Sequence, residues 1–366
     1  MECVASGIVY RNPHPHLRAV HAWHPSLALL ADGRLVAGFD LGQAVESLDY
    51  ATYVVHSSDD GAHWTVPRRM FFDCVERRTS HSVRIGQVSG GVLTAFGGRF
   101  YRDNPELGLT NRDNLGYVPM DLIYLESRDG GQSWGGPRTI RPPLVGPAFE
   151  VCHRIVELRD GRWLAPTATW KGWDGSAPHG MRAVALVSAD RGRTWPSWLT
   201  VFDQSADGVV SWEQGLTQLL DGRLLAMVWS FDERTGRSLP NRFAISADGR
   251  TFGPPREAGL SGETAKLITL ADGRVLCMRR RLDQPGLWAT LARIDGEQWV
   301  TLAEIPVWQG TSSGMHGHLP SSDELSALKF GFPSMVQRPD GEVFAVFWCV
   351  EDSLHVVRWA RLRIPT

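Results

Sequence analysis

Long hydrophobic runs are missing from this chain: no apolar stretch approaches the roughly 20 residues that a membrane-spanning helix needs. Net charge is almost missing too, at −2 with histidine neutral. That argues against partners held by bulk electrostatics, such as nucleic acid or an acidic membrane surface. Cysteine is scarce and odd in number. The five residues give no disulfide framework, and Cys152, Cys277 and Cys349 sit inside apolar runs, where cysteine behaves as a small hydrophobe. The N-terminal MECVASGIVYRNPH lacks the basic and apolar regions of a secretory signal, so the expected location is the cytoplasm. No long segment carries the 3.6-residue apolar period of an amphipathic helix.

Glycine (38), proline (22) and tryptophan (15) are plentiful and punctuate the whole length, as they do in a chain of many short strands and tight turns. Two phrases recur. One is Ser-x-Asp followed by Gly and an aromatic: SSDDGAHW from Ser57, SRDGGQSW from Ser127, SADRGRTW from Ser188 and the worn SADGRTF from Ser246. The other is a pair of apolar runs around Asp-Gly or Gly-Gly, ending at Phe39, Phe96, Pro166, Trp229, Met278 and Trp348. Asp-Gly between β-rich runs is a hairpin signal, because the turn needs positive φ and glycine supplies it without steric cost. Each unit therefore opens with a hairpin of strands A and B. A third strand follows a variable loop, and the Ser-x-Asp phrase turns it into a fourth. Six such units, repeating roughly every 50 to 70 residues, predict an all-β, six-bladed β-propeller of four-stranded antiparallel blades. Residues 1–366 form one domain in this reading, with the N-terminal CVASGIVYR closing the last, short blade.

Strand direction alternates within a blade, so both recurring turns fall on one rim. The opposite rim receives the long B–C loops and the starts of the A strands, and loops on a rigid scaffold are where function concentrates. The A-strand starts hold Trp23 and His24, His81 and Arg84, Glu150 and His153, Trp212 and Glu213, Glu263 and Lys266, then Phe332. The B-strand exits add Asp40, Arg99, Trp170, Lys171, Arg279 and Arg281. Tryptophan faces suit sugar rings, and guanidinium forks suit carboxylates. The pattern points to a polar, oxygen-rich ligand. Structural readings stand beside the functional ones: Glu213 as a satisfied carboxylate, His24 and His153 as backbone ligands, and only one of Arg279 to Arg281 facing the axis, since neighbours on a strand alternate faces.

In these repeats the chain resembles the sialidase superfamily with its Asp-box turns, over essentially its whole length. The resemblance implies an arginine triad for the substrate carboxylate, a Tyr–Glu nucleophile and an aspartate acid/base. The phrase SWEQG places Glu213 at the glutamate, and the acid/base falls among Asp40, Glu46 and Asp49 of the first B–C loop. The sequence departs from the family at two points. AWHPSL places Trp23 at the first arginine, and no tyrosine follows Asn241. The expected activity is a sialidase-like, exo-acting glycoside hydrolase on a terminal acidic or deoxy sugar. Its expected catalytic residues are Glu213, Asp40, Asp49, His24 and His153. Trp23, His81, Arg84, Arg99, Glu150, Trp170, Lys171, Trp212, Glu263, Arg279 and Arg281 are expected to bind substrate. The alternatives are a uronate lyase with a histidine base and a non-catalytic glycan-binding propeller. The expected partner is carbohydrate, and no metal or cofactor is expected. A histidine metal site at His24, His81 and His153 lacks any spacing rule, because the three come from different units.

Overall fold

The computed structural model describes residues 1–151 and 153–365; Cys152 lies outside the described residues. Six antiparallel sheets stand around one axis as a six-bladed β-propeller. Blade I comprises His21–Leu29, Leu35–Gly42, Ala51–Ser57 and the short Arg68–Arg69. Blades II, IV and V repeat that order from Thr79, Val209 and Gly262. Blade VI is built from Phe330–Gln337, Val343–Glu351 and Leu354–Arg363, and its outer strand is the N-terminal Glu2–Tyr10. That pairing gives blade VI its fourth strand from the opposite end of the chain and so closes the ring. No helix is long and apolar enough to cross a membrane.

The Ser-x-Asp turns are internally satisfied. In the second, the Ser127 hydroxyl donates to Asp129 at 2.8 Å and accepts Gly131 N–H at 2.8 Å, while Asp129 accepts Ser133 N–H at 2.9 Å. Gly131 sits at φ +85°, where a side chain would be strained. These turns also join blades: His56 Nε2 lies 3.0 Å from the carbonyl of Gly130, and Arg162 donates to Gly249 at 2.9 Å.

The innermost strands carry the feature that builds the site. In blades I, IV, V and VI, two residues of strand A face one residue of strand B: His24–Pro25, Glu213–Gln214, Thr264–Ala265 and Phe332–Pro333. The first residue of each bulge is non-glycine with positive φ, at 49°, 42°, 51° and 53° in chain order. Such a conformation costs about 1–3 kcal/mol and persists only where its surroundings over-determine it. The bulge re-aims a side chain that regular alternation would send elsewhere. Blade II has no bulge and pairs in unbroken register from Thr79 to Gln87. Blade III instead breaks its first strand into Ala148–Glu150 and Val156–Glu157.

Candidate functional site

Three of these devices meet at the rim bearing the B–C loops. A cavity of about 410 Å³ opens there, with His24, Tyr50, Ser82, Arg84, Glu150, Trp212, Glu213 and Phe332 in its lining. That volume falls in the range of small-molecule sites. Glu213 and His24 therefore share one end of the axis.

The bulge at His24 divides two neighbours. Trp23 turns inward and is only 4% exposed, packed into the core of blades I and VI. His24 turns to the cavity. The expectation that Trp23 occupies the ligand-facing position is thereby corrected; the extra bulge residue shifts which side chain reaches the mouth. Below His24 lies Asp40, 0% exposed. It accepts hydrogen bonds from Thr52 at 2.5 Å, Ser82 at 2.7 Å, Tyr50 at 3.0 Å and Arg84 Nη1 at 3.0 Å. Burial opposes the ionisation of Asp40, but the Arg84 guanidinium, with His24 and Thr52, outweighs it and holds the carboxyl below its usual range. An ionised Asp40 only accepts, so the Tyr50 hydroxyl donates to it. The remaining lone pairs of that hydroxyl face His24 Nδ1 at 2.6 Å. This assigns the proton of neutral His24 to Nδ1 and leaves Nε2 with a free lone pair. Burial, then the Asp40 charge, raises the Tyr50 phenol well above its ordinary value, so it stays a donor.

Across the cavity, Glu213 is held through its backbone. Its N–H approaches Glu150 Oε2 at 3.4 Å, and its carbonyl accepts Lys266 Nζ at 3.2 Å. Its own Oε2 is buried with no hydrogen-bond partner, as are Trp212 Nε1 and Arg84 Nε. Buried polar atoms are nearly always partnered, so these three leave unmet hydrogen-bonding capacity in the wall of the cavity. The opposite wall is apolar, with Phe100, Leu109, Trp229, Leu325 and Leu328. Trp170 is not in the lining. It stacks on Trp212 at 4.8 Å from behind, and its Nε1 donates to Leu115.

The connection between blades V and VI forms the roof through Ser322, Leu325, Ser326 and Leu328. The buried Glu324 organises it, accepting the N–H groups of His316, Gly317, His318 and Leu319 within 3.4 Å. Glu263 anchors it to the propeller: its carboxylate accepts Met315 N–H at 2.7 Å and Arg280 Nε at 2.8 Å, and also binds the Ser238 hydroxyl. Arg112 pairs with Asp323, joining the roof to the second B–C loop. On the first B–C loop Glu46 lines the cavity and accepts Leu109 N–H at 3.0 Å.

The remaining expected site residues lie elsewhere. His81 and Arg99 both bind Asp73, at 2.9 and 2.6 Å, in a buried cluster of blade II. Arg279 donates to Glu304 at 2.9 Å inside blade V, and Arg281 pairs with Asp283 at 2.7 Å. Lys171 pairs with Glu233. Asp49 is exposed and accepts the hydroxyl of Ser47 at 2.6 Å. Glu263 faces the roof, and His153 sits lower on the axis. The arginines at the cavity are Arg84 and, on its rim, Arg112. Regular alternation along the B strand of blade V turns Arg280, not its neighbours, toward Glu263. Among the described residues no group of three His, Cys, Asp or Glu is arranged to hold a metal ion. Sequence reasoning missed Tyr50. Its only signal is its place just before strand C of blade I, where the cavity-facing end of that strand begins.

No family model and no curated protein matches the chain. Solved structures do. A protein of unknown function from Dyadobacter fermentans superposes with a TM-score of 0.75 at 20% identity, covering 100% of this chain and 99% of that one. A sialidase of Streptococcus pneumoniae gives 0.69 at 13% identity, over 98% of this chain and 70% of that one. The intramolecular trans-sialidase of Ruminococcus gnavus gives 0.68 at 11% identity, over 94% of both. At these identities the likeness is one of fold: the propeller is sialidase-like.

Proposed function

We propose that this propeller is a carbohydrate-active enzyme, an exo-acting glycoside hydrolase that removes a terminal sugar. One observation carries the proposal: the His24–Tyr50–Asp40 chain and Glu213 meet at the lining of one cavity. In this reading His24 Nε2 takes a proton from water as the water attacks the anomeric carbon. Tyr50 and Asp40 hold the ring and stabilise the imidazolium that forms. Glu213 acts as the acid on the leaving oxygen, and Glu150 stands beside it against positive charge developing on the sugar. The roofed cavity fits one terminal residue better than an extended chain. Its single floor guanidinium, Arg84, is already spent on Asp40, and its far wall is apolar. A neutral or deoxy sugar presenting a methyl or methylene face suits that lining better than an acidic sugar does. The sialidase likeness of the fold supports a glycan substrate.

A second reading rests on the same histidine. His24 with Tyr50 could abstract a ring proton from a uronate and eliminate the glycosidic oxygen, as a polysaccharide lyase does. The measurement that tests and separates these readings is turnover on chromogenic rhamnosides, sialosides and uronides, followed by both reducing-sugar release and the ultraviolet absorbance of unsaturated uronate. Glu213→Gln is expected to cut hydrolysis by about 10²–10⁴-fold while sugar affinity holds. Unchanged turnover in that variant overturns the role of Glu213. Sugar binding without turnover of any substrate by the native protein identifies a binding propeller instead.

A further inference from the structure

Lys266 reaches the site from the innermost strand of blade V, and no step of the proposed reaction uses it. It follows directly on the Thr264–Ala265 bulge, pairs with Met278 and is only 5% exposed. Its Nζ donates to the carbonyl of Glu213 at 3.2 Å and to that of Gln214 at 3.4 Å. Those are the two residues that the bulge of blade IV takes out of its ladder, between Trp212 and Gly215. A second grip comes from blade III, where the Gln214 Nε2 donates to the carbonyls of Thr167 at 2.8 Å and Val184 at 2.7 Å. Between the two grips Glu213 holds φ at 42°, a conformation that persists only where its surroundings impose it. Gly215 lets blades IV and V come this close. A Cβ there would lie 2.8 Å from the carbonyl oxygen of Ala265 and 3.1 Å from the Cα of Lys266. Gly215 has no positive φ, so the close approach alone requires a glycine.

The same ammonium rests on Phe332. Nζ lies 4.9 Å from the ring centroid, and the Arg84 guanidinium lies 4.8 Å from it. A cation over a ring face is drawn to it by the ring quadrupole. His24 meets that ring in a T-shaped contact at 5.1 Å. Phe332 is itself the positive-φ residue of the blade VI bulge, and Thr264 Oγ1 accepts its N–H at 3.2 Å. We propose that Lys266 is a positioning residue: it clamps the Glu213–Gln214 bulge, keeps Glu213 aimed at the cavity, and through Phe332 ties that side of the site to His24. The proposal rests on Glu213 serving as the acid. Lys266 acts through the backbone, so replacing its ammonium by an apolar group removes both carbonyl bonds at once and frees the bulge to relax.

The test reads the bulge directly in a crystal structure of Lys266→Met, then compares the turnover of that variant with Glu213→Gln. The expected structure has Glu213 out of positive φ and its carboxylate turned from the cavity. The expected kinetics are a kcat lower by about 10–10²-fold with KM little changed. An unmoved bulge in Lys266→Met overturns the proposal, and so does a native kcat in that variant while Glu213→Gln is impaired. Should the native protein turn nothing over, or Glu213→Gln keep full turnover, the reading of Glu213 as the acid falls, and the crystal structure decides alone whether Lys266 holds the bulge. Should Lys266→Met not fold, Phe332→Leu takes its place in both measurements, because it removes the ring from beneath the ammonium.

Discussion

His24 is shaped less by its own neighbours in sequence than by Tyr50, 26 residues away. A histidine beside a proline at a strand start has a bland role open to it, as a backbone ligand. The Tyr50 hydroxyl at 2.6 Å, backed by a buried aspartate, fixes instead which nitrogen carries the proton. Tyr50 is a positioning residue by this geometry. Tyr50→Phe removes the link while keeping the ring, so kcat is expected to fall about 10-fold or more with little change in KM, and the alkaline and acid limbs of the rate profile should move. His24→Ala should cost roughly 10²–10⁴-fold. Equal effects of Tyr50→Phe on kcat and KM would point to a role in binding rather than in orienting the base. The sequence offered His24 and Glu213 as candidates through their residue type and their place at strand starts. It offered Trp23 on the same grounds, and only the bulge separates the two.

At the scale of elements, the roof between blades V and VI is organised by two buried carboxylates rather than by an apolar core of its own. Glu324 gathers four consecutive N–H groups, and Glu263 ties Met315 to the Arg280 guanidinium. The Glu263–Arg280 pair is almost fully shielded, with side chains 0% and 2% exposed. Breaking such a pair leaves a buried charge and costs about 3–5 kcal/mol. Glu263→Gln should therefore lower stability by that order in denaturant unfolding. It should also raise proteolytic nicking within 309–329 under native conditions. A loss of stability without added nicking would show that Glu263 serves blade V rather than the roof. Glu263 was legible as a polar residue at a strand start. Its partner strap was not, because nothing in local sequence tells which distant backbone a buried carboxylate will cap.

For the whole molecule, acid stability depends on the axis. His153 is neutral in the folded state, with a pKa near 3, against about 6.5 when unfolded. Unfolding therefore takes up a proton below pH 6.5, and stability falls as pH drops from there toward 3, by at most about 1.4 kcal/mol per pH unit from this residue. His355, pushed to about 4 by burial and then by His21, adds in the same direction. Asp40, whose folded pKa is depressed, contributes stability that is lost only at lower pH. His153→Gln is expected to flatten the decline between pH 6 and 4 in thermal melts; an unaltered slope would remove His153 from the account. The sequence by itself determined the propeller, because six hairpin turns with alternating apolar runs, and four satisfied Ser-x-Asp turns, are local devices that leave few other ways to bury so many strands. It also placed His24 and Glu213 on one rim, since strand direction alternates by rule. Tertiary structure decided which of the candidates meet. Bulges turn His24 and Glu213 to one cavity, which Arg84 reaches from the unbroken first strand of blade II, while Arg99, Arg279 and Lys171 are consumed by partners within their blades or beside them. That choice depends on register and on contacts across blades, to which no short stretch of sequence is sensitive.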